Sequence, residues 1–517
     1  MKEINLPKGI RYVYHLSNVG KTLVAPICLR TEHLLLLHPV LTVPSDRHTF
    51  GHGRRPTGAP GDGMQGVRKG TNKVNEQPAA GSANTHRTQG ASVDVLVLDA
   101  QYRQALATMR SLSGAGLQVG AAASHSSAAE ALAWESRWCR LKTVLPDPER
   151  EAHFIEALLA VIDAHAPRMI VPSHDGTIQA LRAGREELQR RTFLPLGSEA
   201  ALDIAISKTR TLALAQDLGL LVPRSVLVTN LGDVPAALRE VGCPAVVKPV
   251  TSWGKRGEFG ERWGCDAVLS VDEARDTVER MSLAGLHAIF QQWLPGRRDA
   301  VTFFRASGKI WARFAQTSYR EFPPLGGASA LCESIPLSAD LREPAERLIE
   351  AIALDGCSMV EFRRDRAGRP VLMEINARMP GSVALAVSAG VDFPRMLYDW
   401  AVGRPLQVVK DYRVGRRRRW LAGDLWNLKW AFRGRNEPDI PSRRAAVATF
   451  FTDFVRRPSA LDPFAMGDIR PGLAEFRQVV LRPVVDRVRR SAFGLERKSV
   501  FGVPRHLQER ANESKQS

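Results

Sequence analysis

Three polar residues, Glu374, Asn376 and Arg378, recur at alternate positions in VLMEINARMP (residues 371–380), interleaved with Val371, Met373, Ile375 and Ala377. Side chains in a strand alternate between faces with a period of two. One face of this segment is therefore apolar, and the other presents a carboxylate, an amide and a guanidinium in a row. The preceding stretch, CSMVEFRRDRAGRPVLMEIN, reads as two strands joined by a loop at Ala367-Gly368. With the loop centred between those residues, Glu361 falls directly opposite Glu374. Like charges so placed destabilise a sheet unless something positive lies between them. Hard oxygen ligands with an amide alongside suit magnesium. The competing explanation is a solvated polar face whose register slips and relieves the repulsion.

Upstream, Lys248 closes the apolar run of PAVVKPV, where a strand would hold its ammonium at a fixed point. Taken alone, an ordinary edge lysine is the simpler explanation. TSWGKRGEFGERWG follows at once, with Gly254, Gly257, Gly260 and Gly264. Glycines let backbone N–H groups approach a phosphate closely. The pattern GxxxxGK[ST] does not occur, so this is no P-loop.

The elements that must position these residues are those of an α/β chain. At 517 residues there is room for three domains of ordinary size. The formal net charge of +18 is carried by the ends. Residues 1–90 contribute +7 and residues 410–517 contribute +12, which leaves residues 91–409 at −1, so charge says little about the chemistry of the middle. The six cysteines are scattered, without metal-ligand spacing, which suits free thiols in a reducing cytosol. No apolar run of about 18 residues exists to span a membrane.

Residues 1–91 include a stretch (45–91) rich in Gly, Pro, Ser, Thr, Asn and charge that cannot bury enough apolar surface to fold alone, and the whole is read as a disordered basic tail. Translation starting downstream of it is one expectation, which mass spectrometry of the native N-terminus tests. Order begins at VDVLVLD (93–99). Helices then alternate with the strands LQVGAAAS and PRMIVPS, an open parallel α/β layer over 92–200 with ligands expected at the carboxyl ends of its strands. His174-Asp175 follow the last of these strands, where a helix-capping turn is the simpler reading and a binding role the other. From Ser207 a helix (SKTRTLALAQDLG) runs to Gly219, and 201–409 continues as mixed strands and helices.

The chain order Lys208 in SKT, Lys248 in VVKP, the glycine-rich loop, FQQWLPG, Glu361 and then Glu374-x-Asn376-x-Arg378 resembles the ATP-grasp superfamily. The likeness is nearest to the carbamoyl-phosphate-synthase-like and biotin-carboxylase-like branch of carboxylate–amine ligases, over about residues 92–405. The resemblance implies an N-terminal pre-ATP-grasp domain (92–200) with an open parallel sheet, then a two-lobed ATP-grasp domain (201–409) of α+β character. Its lid would cover about 225–290 and its catalytic lobe about 291–405. Lys208 and Lys248 would meet ATP phosphates. Gln291, Gln292, Trp293 and Leu294 would form the hinge at the adenine edge, and Asp299 would take the ribose hydroxyls. Glu361, Glu374 and Asn376 would ligate magnesium, or manganese, in a pair of ions. Arg378 would steady the transferred phosphoryl group, with Lys248 beside it. The hinge reads Gln-Gln where the family often has a glutamate, and the glycine loop is longer and more charged than usual.

The implied reaction is Mg·ATP-dependent. A carboxylate is activated as an acyl phosphate and joined to an amine, with release of ADP and phosphate. Two rivals stay open: a carboxylase or carbamate-forming enzyme using bicarbonate, and a nucleotide-binding protein without turnover that its basic tail carries to a surface. Substrate contacts are expected in SYREFPPLGGASALCES (318–334), where Arg320 suits a carboxylate and Ser329 lies close by, a structural turn being the equal alternative. The expected partners are small-molecule carboxylates and amines in the cytoplasm rather than nucleic acid, with a homodimer left open. The last region, 410–517, contains RVGRRRRW and LWNLKWAF. It reads as a basic, mainly helical appendage with a solvated face, contact with anionic membrane or an acidic partner being the alternative.

Overall fold

The protein is described here by a computed structural model covering residues 92–250, 253–256, 259–262, 264–324, 326–433, 441–455 and 459–481. The tail expected over 1–91 and the basic stretch beyond 481 lie outside the described residues.

The first layer alternates strands and helices: β1 (Val95–Val97), α1 (Arg103–Gly114), β2 (Val119–Ser124), β3 (Cys139–Leu145), α2 (Glu151–His165), β4 (Met169–Val171) and α3 (Asp175–Ala183). The strands pair in parallel in the order β3-β2-β1-β4. β1, β2 and β4 lie at positions where the sequence shows continuous apolar runs, as central parallel strands should. β3, CRLKTVL, is an edge strand whose residues alternate between half-buried and exposed, and the sequence reading passed over it.

Helices α4 (Arg185–Gln189), α5 (Glu199–Ile206) and α6 (Lys208–Asp217) lead out of this layer. Ser198 and Ser207 cap α5 and α6 by accepting the N–H groups of Ala201 and Arg210. Next come β5 (Ser225–Val228), α7 (Val234–Val241), β6 (Ala245–Pro249), the hairpin β7 (Trp253–Arg256) with β8 (Phe259–Arg262), β9 (Asp266–Val268), α8 (Val271–Leu283) and β10 (Ala288–Gln292). β5-β10-β6-β9 form an antiparallel sheet backed by α7 and α8. Its core (Val228, Leu238, Val247, Val278, Phe290) shares no member with the two larger cores.

The third sheet has seven strands: β11 (Arg298–Ala306), β12 (Lys309–Phe322), β13 (Ala328–Ser334), β14 (Gly356–Arg364), β15 (Pro370–Asn376), β16 (Arg417–Trp420) and β17 (Ala460–Asp462). Their spatial order is β15-β14-β11-β12-β13-β16-β17, antiparallel except for the last pair. One face, with Val301, Phe303, Val360 and Phe362, packs on α9 (Ala339–Ala351). Helices α10 (Val383–Ala389) and α11 (Phe393–Ala401) follow β15 and pack in a second core with Phe304, Phe314 and the first layer.

The region after residue 410 corrects the expectation of a solvated appendage. β16 and β17 extend the central sheet, and α12 (Leu421–Ala431), α13 (Arg443–Val455) and α14 (Arg470–Phe476) cover that end. Three side chains of the RRRR run are engaged by acids, while Arg416 stays exposed. Arg417 pairs with Glu333 and Asp453, Arg418 with Asp462, and Arg419, only 1% exposed, with the fully buried Asp424. Asp462 and Asp468 also bind Arg103 and Arg110 of α1, so the C-terminal strands and the first layer hold one another. No helix among the described residues is long and apolar enough to cross a membrane.

Candidate active site

The hairpin β14–β15 has the register read from the sequence: Glu361 is directly opposite Glu374, with Val360 opposite Ile375 and Met359 opposite Asn376. Between the pair and the loop the ladder slips by one residue from that register, so Phe362 meets Leu372. Alternation then sets Ile375 in the apolar core and leaves Glu361, Glu374 and Asn376 together on the other face.

Two groups relieve the carboxylate repulsion. Asn376 Nδ2 donates to Glu361 Oε1 at 3.1 Å and to Glu374 Oε1 at 3.4 Å. Arg298 Nη1 donates to Glu361 Oε2 at 3.1 Å. Burial pushes the Glu361 carboxyl above its usual range, against the pull of Arg298. Arg298 itself is held above its ordinary value: burial opposes its charge, but Glu321, Glu361 and Glu374 outweigh that.

Arg378 follows β15. Its Nε and Nη2 donate to the two oxygens of Asp175 at 2.6 and 3.2 Å, and Nη2 also reaches Asn376 Oδ1 at 3.2 Å. Asp175 comes from the first layer, at the start of α3, beyond the carboxyl end of β4. His174 caps that helix by accepting the Gly176 N–H on Nδ1, so the capping turn is there and its next residue grips the hairpin as well. At the end of β1, Asp99 accepts the Ser173 N–H and the Thr177 hydroxyl, and burial pushes its carboxyl up to about 6. Asp99 also has φ +62°, a strained backbone that persists only where its surroundings impose it.

The two lysines converge from other elements. Lys208 is the first residue of α6 and is buried, its backbone N–H bonded to the Val250 carbonyl after β6. Lys248 on β6 is 4% exposed, and while its backbone pairs with Ile289, its ammonium shares no hydrogen bond with another described residue. Burial holds its ammonium below the ordinary range, while Cys265 and Glu374 pull the other way and Lys208 and Arg363 repel it. A cavity of about 270 Å³ lies here, lined by Asp175, Ile206, Lys208, Glu374 and Asn376 among others.

On β10, Phe290 faces the small core, so Gln291 faces the side that carries Lys248, where it is fully buried and donates to Ser225 Oγ. Gln292 exchanges bonds with the Arg224 backbone, and Trp293 and Leu294 lead toward β11. Gly296 ends this link. A Cβ there would lie 2.2 Å from the Arg364 carbonyl oxygen, so only glycine allows the chain to dock on β14.

Three residues sit otherwise than expected. Asp299 pairs across the ladder with Phe362 and so points to the apolar face, where Arg364 Nε donates to it at 2.7 Å. Its neighbour Arg298, opposite Arg363, faces the carboxylates instead. Arg320 is re-aimed by register shifts on both sides of it in the β12–β13 ladder, and its guanidinium grips Asp424 and Asp453. The same shifts bring Glu321 to Arg298 and Arg363. Ser329 borders the site, but its hydroxyl is engaged by Arg298 Nη2 at 2.8 Å and by Ser318. Sequence reasoning missed Arg298 and Glu321 altogether; for His174-Asp175 it put the capping turn first and a binding role second, and Asp175 holds Arg378.

The donor set fits a hard divalent cation. Oxygens of Glu361 and Glu374 already share one amide nitrogen, and Asn376 could offer its Oδ1 in the same place. Among the described residues no three His, Cys, Asp or Glu side chains converge on one point, so further ligands would come from a bound phosphate or water.

The family model "ATP-grasp in the biosynthetic pathway with Ter operon" matches residues 327–423, from β13 through the carboxylate hairpin to the start of α12. D-alanine–D-alanine ligase of Ectopseudomonas mendocina (strain ymp) is 25% identical over 209 residues, covering 38% of this chain and 64% of that protein. The carbamoyl phosphate synthase large chain of Thermotoga sp. (strain RQ2) is 27% identical over 304 residues, covering 53% of this chain and 26% of that one. The chain thus spans less than two thirds of either relative. The crystal structure of a biotin carboxylase–βγ-ATP complex from Campylobacter jejuni shares the fold, with a TM-score of 0.50 at 15% identity over 63% of this chain and 74% of that one.

Proposed function

We propose that this chain, a member of the ATP-grasp superfamily on its carboxylate–amine ligase side, is a Mg·ATP-dependent ligase that activates a carboxylate as an acyl phosphate and joins it to an amine. The observation that carries the proposal is the facing pair Glu361 and Glu374, with Asn376 between them and Lys208 and Lys248 converging on the same space. Bound magnesium would supply Lewis-acid polarisation of the phosphates. Glu361, Glu374 and Asn376 would hold it, as one ion or two.

Lys248 would give its unshared N–H donors to phosphate oxygens, and burial of the ammonium strengthens that attraction. Lys208 would add a second compact charge. Arg378, aimed by Asp175, would stand where charge develops on the transferred group. In the first step a substrate carboxylate oxygen attacks the γ-phosphorus; the bond to the β-phosphate oxygen breaks and ADP leaves. In the second, an amine attacks the acyl carbon, phosphate departs with the bonding pair, and the amine loses a proton. The sheet of residues 225–292, with its separate core, would act as the lid that keeps water from the acyl phosphate, and Gln291–Leu294 as the hinge at the adenine. The carboxyl ends of β1 and β4, with Asp99, His174 and Asp175, would border the acceptor.

Calorimetry of ATP with and without magnesium, on wild type and Glu374→Ala, tests the reading. Binding that needs magnesium and collapses in the variant is expected. Binding untouched by the substitution would refute the role given to the hairpin. A screen of carboxylates and amines for ADP release would follow, and release driven by bicarbonate alone would favour carbamate formation.

A further inference from the structure

Arg298 is 9% exposed and satisfied on every side: Nη1 donates to Glu361 Oε2 and to the Gly327 carbonyl, Nη2 to Ser329 Oγ and Ser318 Oγ, and Nε lies 3.3 Å from Glu321 Oε1. Both oxygens of Glu361 are therefore occupied, one by Arg298 and one by Asn376. The Asn376 amide presents its N–H₂ to the two carboxylates, where a metal would need its oxygen. Around this point four carboxylates (Glu321, Glu361, Glu374, Asp175) meet five cationic side chains (Arg298, Arg363, Arg378, Lys208, Lys248). A bare divalent cation finds no excess negative charge there, and among the described residues no third acid converges on one point with Glu361 and Glu374 to complete its shell. A nucleotide's phosphates would bring both.

We propose that Arg298 is a positioning residue that serves as the resident counter-ion of Glu361, so that the site takes a divalent cation only together with the nucleotide that carries it. Entry of the metal would draw Glu361 Oε2 away from Nη1 and turn the Asn376 amide. Arg298 would stay in place, because Glu321, Ser329 and the Gly327 carbonyl still hold it. The inference rests on the nucleotide–metal reading above and assigns an order of binding to the same site.

The test is manganese binding, followed by electron paramagnetic resonance of the free ion, with and without a non-hydrolysable ATP analogue. Wild type should bind manganese only in the millimolar range alone, and about 30-fold or more tighter with the analogue. Arg298→Gln should raise the nucleotide-free affinity about tenfold or more, because one positive charge near the ligands is gone. Arg298→Lys should behave as wild type. A folded Arg298→Gln protein with unchanged manganese affinity would overturn the proposal and leave the nucleotide reading standing. So would wild type that binds manganese tightly without nucleotide, a result that needs no variant to fold. Failure of wild type to bind manganese even with the analogue would remove both.

Discussion

The two ends of the seven-stranded sheet use the same side chains to opposite ends. At β13–β16, Arg320 and Arg419 close on Asp424, which is fully buried, and Arg417 and Arg320 share Asp453. The rings of Phe450 and Phe454 stack on Arg419, at 4.2 and 3.7 Å from its guanidinium carbon. Each acid there has its arginines, and Arg419 and Asp424 at the centre are almost wholly buried, with Arg419 Nη1 left without a hydrogen-bond partner among the described residues. At β14–β15, Glu361 and Glu374 share one amide between them, Lys248 is buried without a hydrogen-bond partner among the described residues, and a cavity opens alongside. Burying a charge is costly unless it is paired. A closed network recovers that cost within the fold, whereas an open one leaves part of it for a ligand to recover.

The largest expected effect falls at the closed end. Asp424→Ala strands Arg320 and Arg419 in the interior and should cost about 3–5 kcal/mol of stability. A chemical-denaturation midpoint close to wild type would show that the network is looser than its geometry. At the open end, Lys248→Met should do the reverse. The fold should melt at the same temperature or higher, since a buried ammonium without a hydrogen-bond partner among the described residues leaves the interior, while ATP should bind about 10- to 100-fold more weakly. Weaker ATP binding with a lower melting temperature would place Lys248 in the packing instead.

Glu475 tests the closed end by pH. Burial pushes its carboxyl to about 7 from 4.5, although the Trp420 indole N–H donates to it. The folded chain then holds a proton that the unfolded chain releases above pH 4.5. Stability should therefore fall as pH rises from about 4.5 to about 7, with the full cost present above 7. Glu475→Gln keeps the acceptor for Trp420 and should gain roughly 1–3 kcal/mol at pH 8, with no gain near pH 4.5. Melting curves at both pH values decide it; an equal gain at each would mean packing rather than protonation. The smallest effect belongs to Asp175→Asn, which exchanges a bidentate charged pair for a neutral contact and should cost about 0.5–2 kcal/mol in thermal melts. If melting stays unchanged and only ATP-dependent turnover falls, Asp175 aims Arg378 without holding the layers together.

Much of the carboxylate hairpin was legible because it is local. Glu361 and Glu374 are joined by a short loop, and counting outward from a centre between Ala367 and Gly368 reaches that pair, although the slip between it and the loop leaves Phe362, Arg363 and Arg364 one position off the same count. The apolar runs of β1, β2 and β4 were legible for a similar reason: a strand buried on both faces needs nothing else from the sequence. Edge strand β3 lacks that run and was not seen.

Phase and partner were decided elsewhere. Arg298 and Asp299 are neighbours, and in a strand neighbours point to opposite faces. Only the pairing of β11 with β14 chose which of them meets Glu361. Register shifts on both sides of Arg320 made the same choice between Arg320 and Glu321. In the run Arg416 to Arg419, positive charge was plain in the sequence. The acids that neutralise it (Glu333, Asp424, Asp453, Asp462) come from four different elements and reach it only once the sheet has formed. The sequence by itself determined the alternation of the ligand strand, the facing glutamates and the α/β order. The tertiary structure decided which charges are closed off and which are left open, because desolvation depends on what covers a side chain and not on its neighbours along the chain.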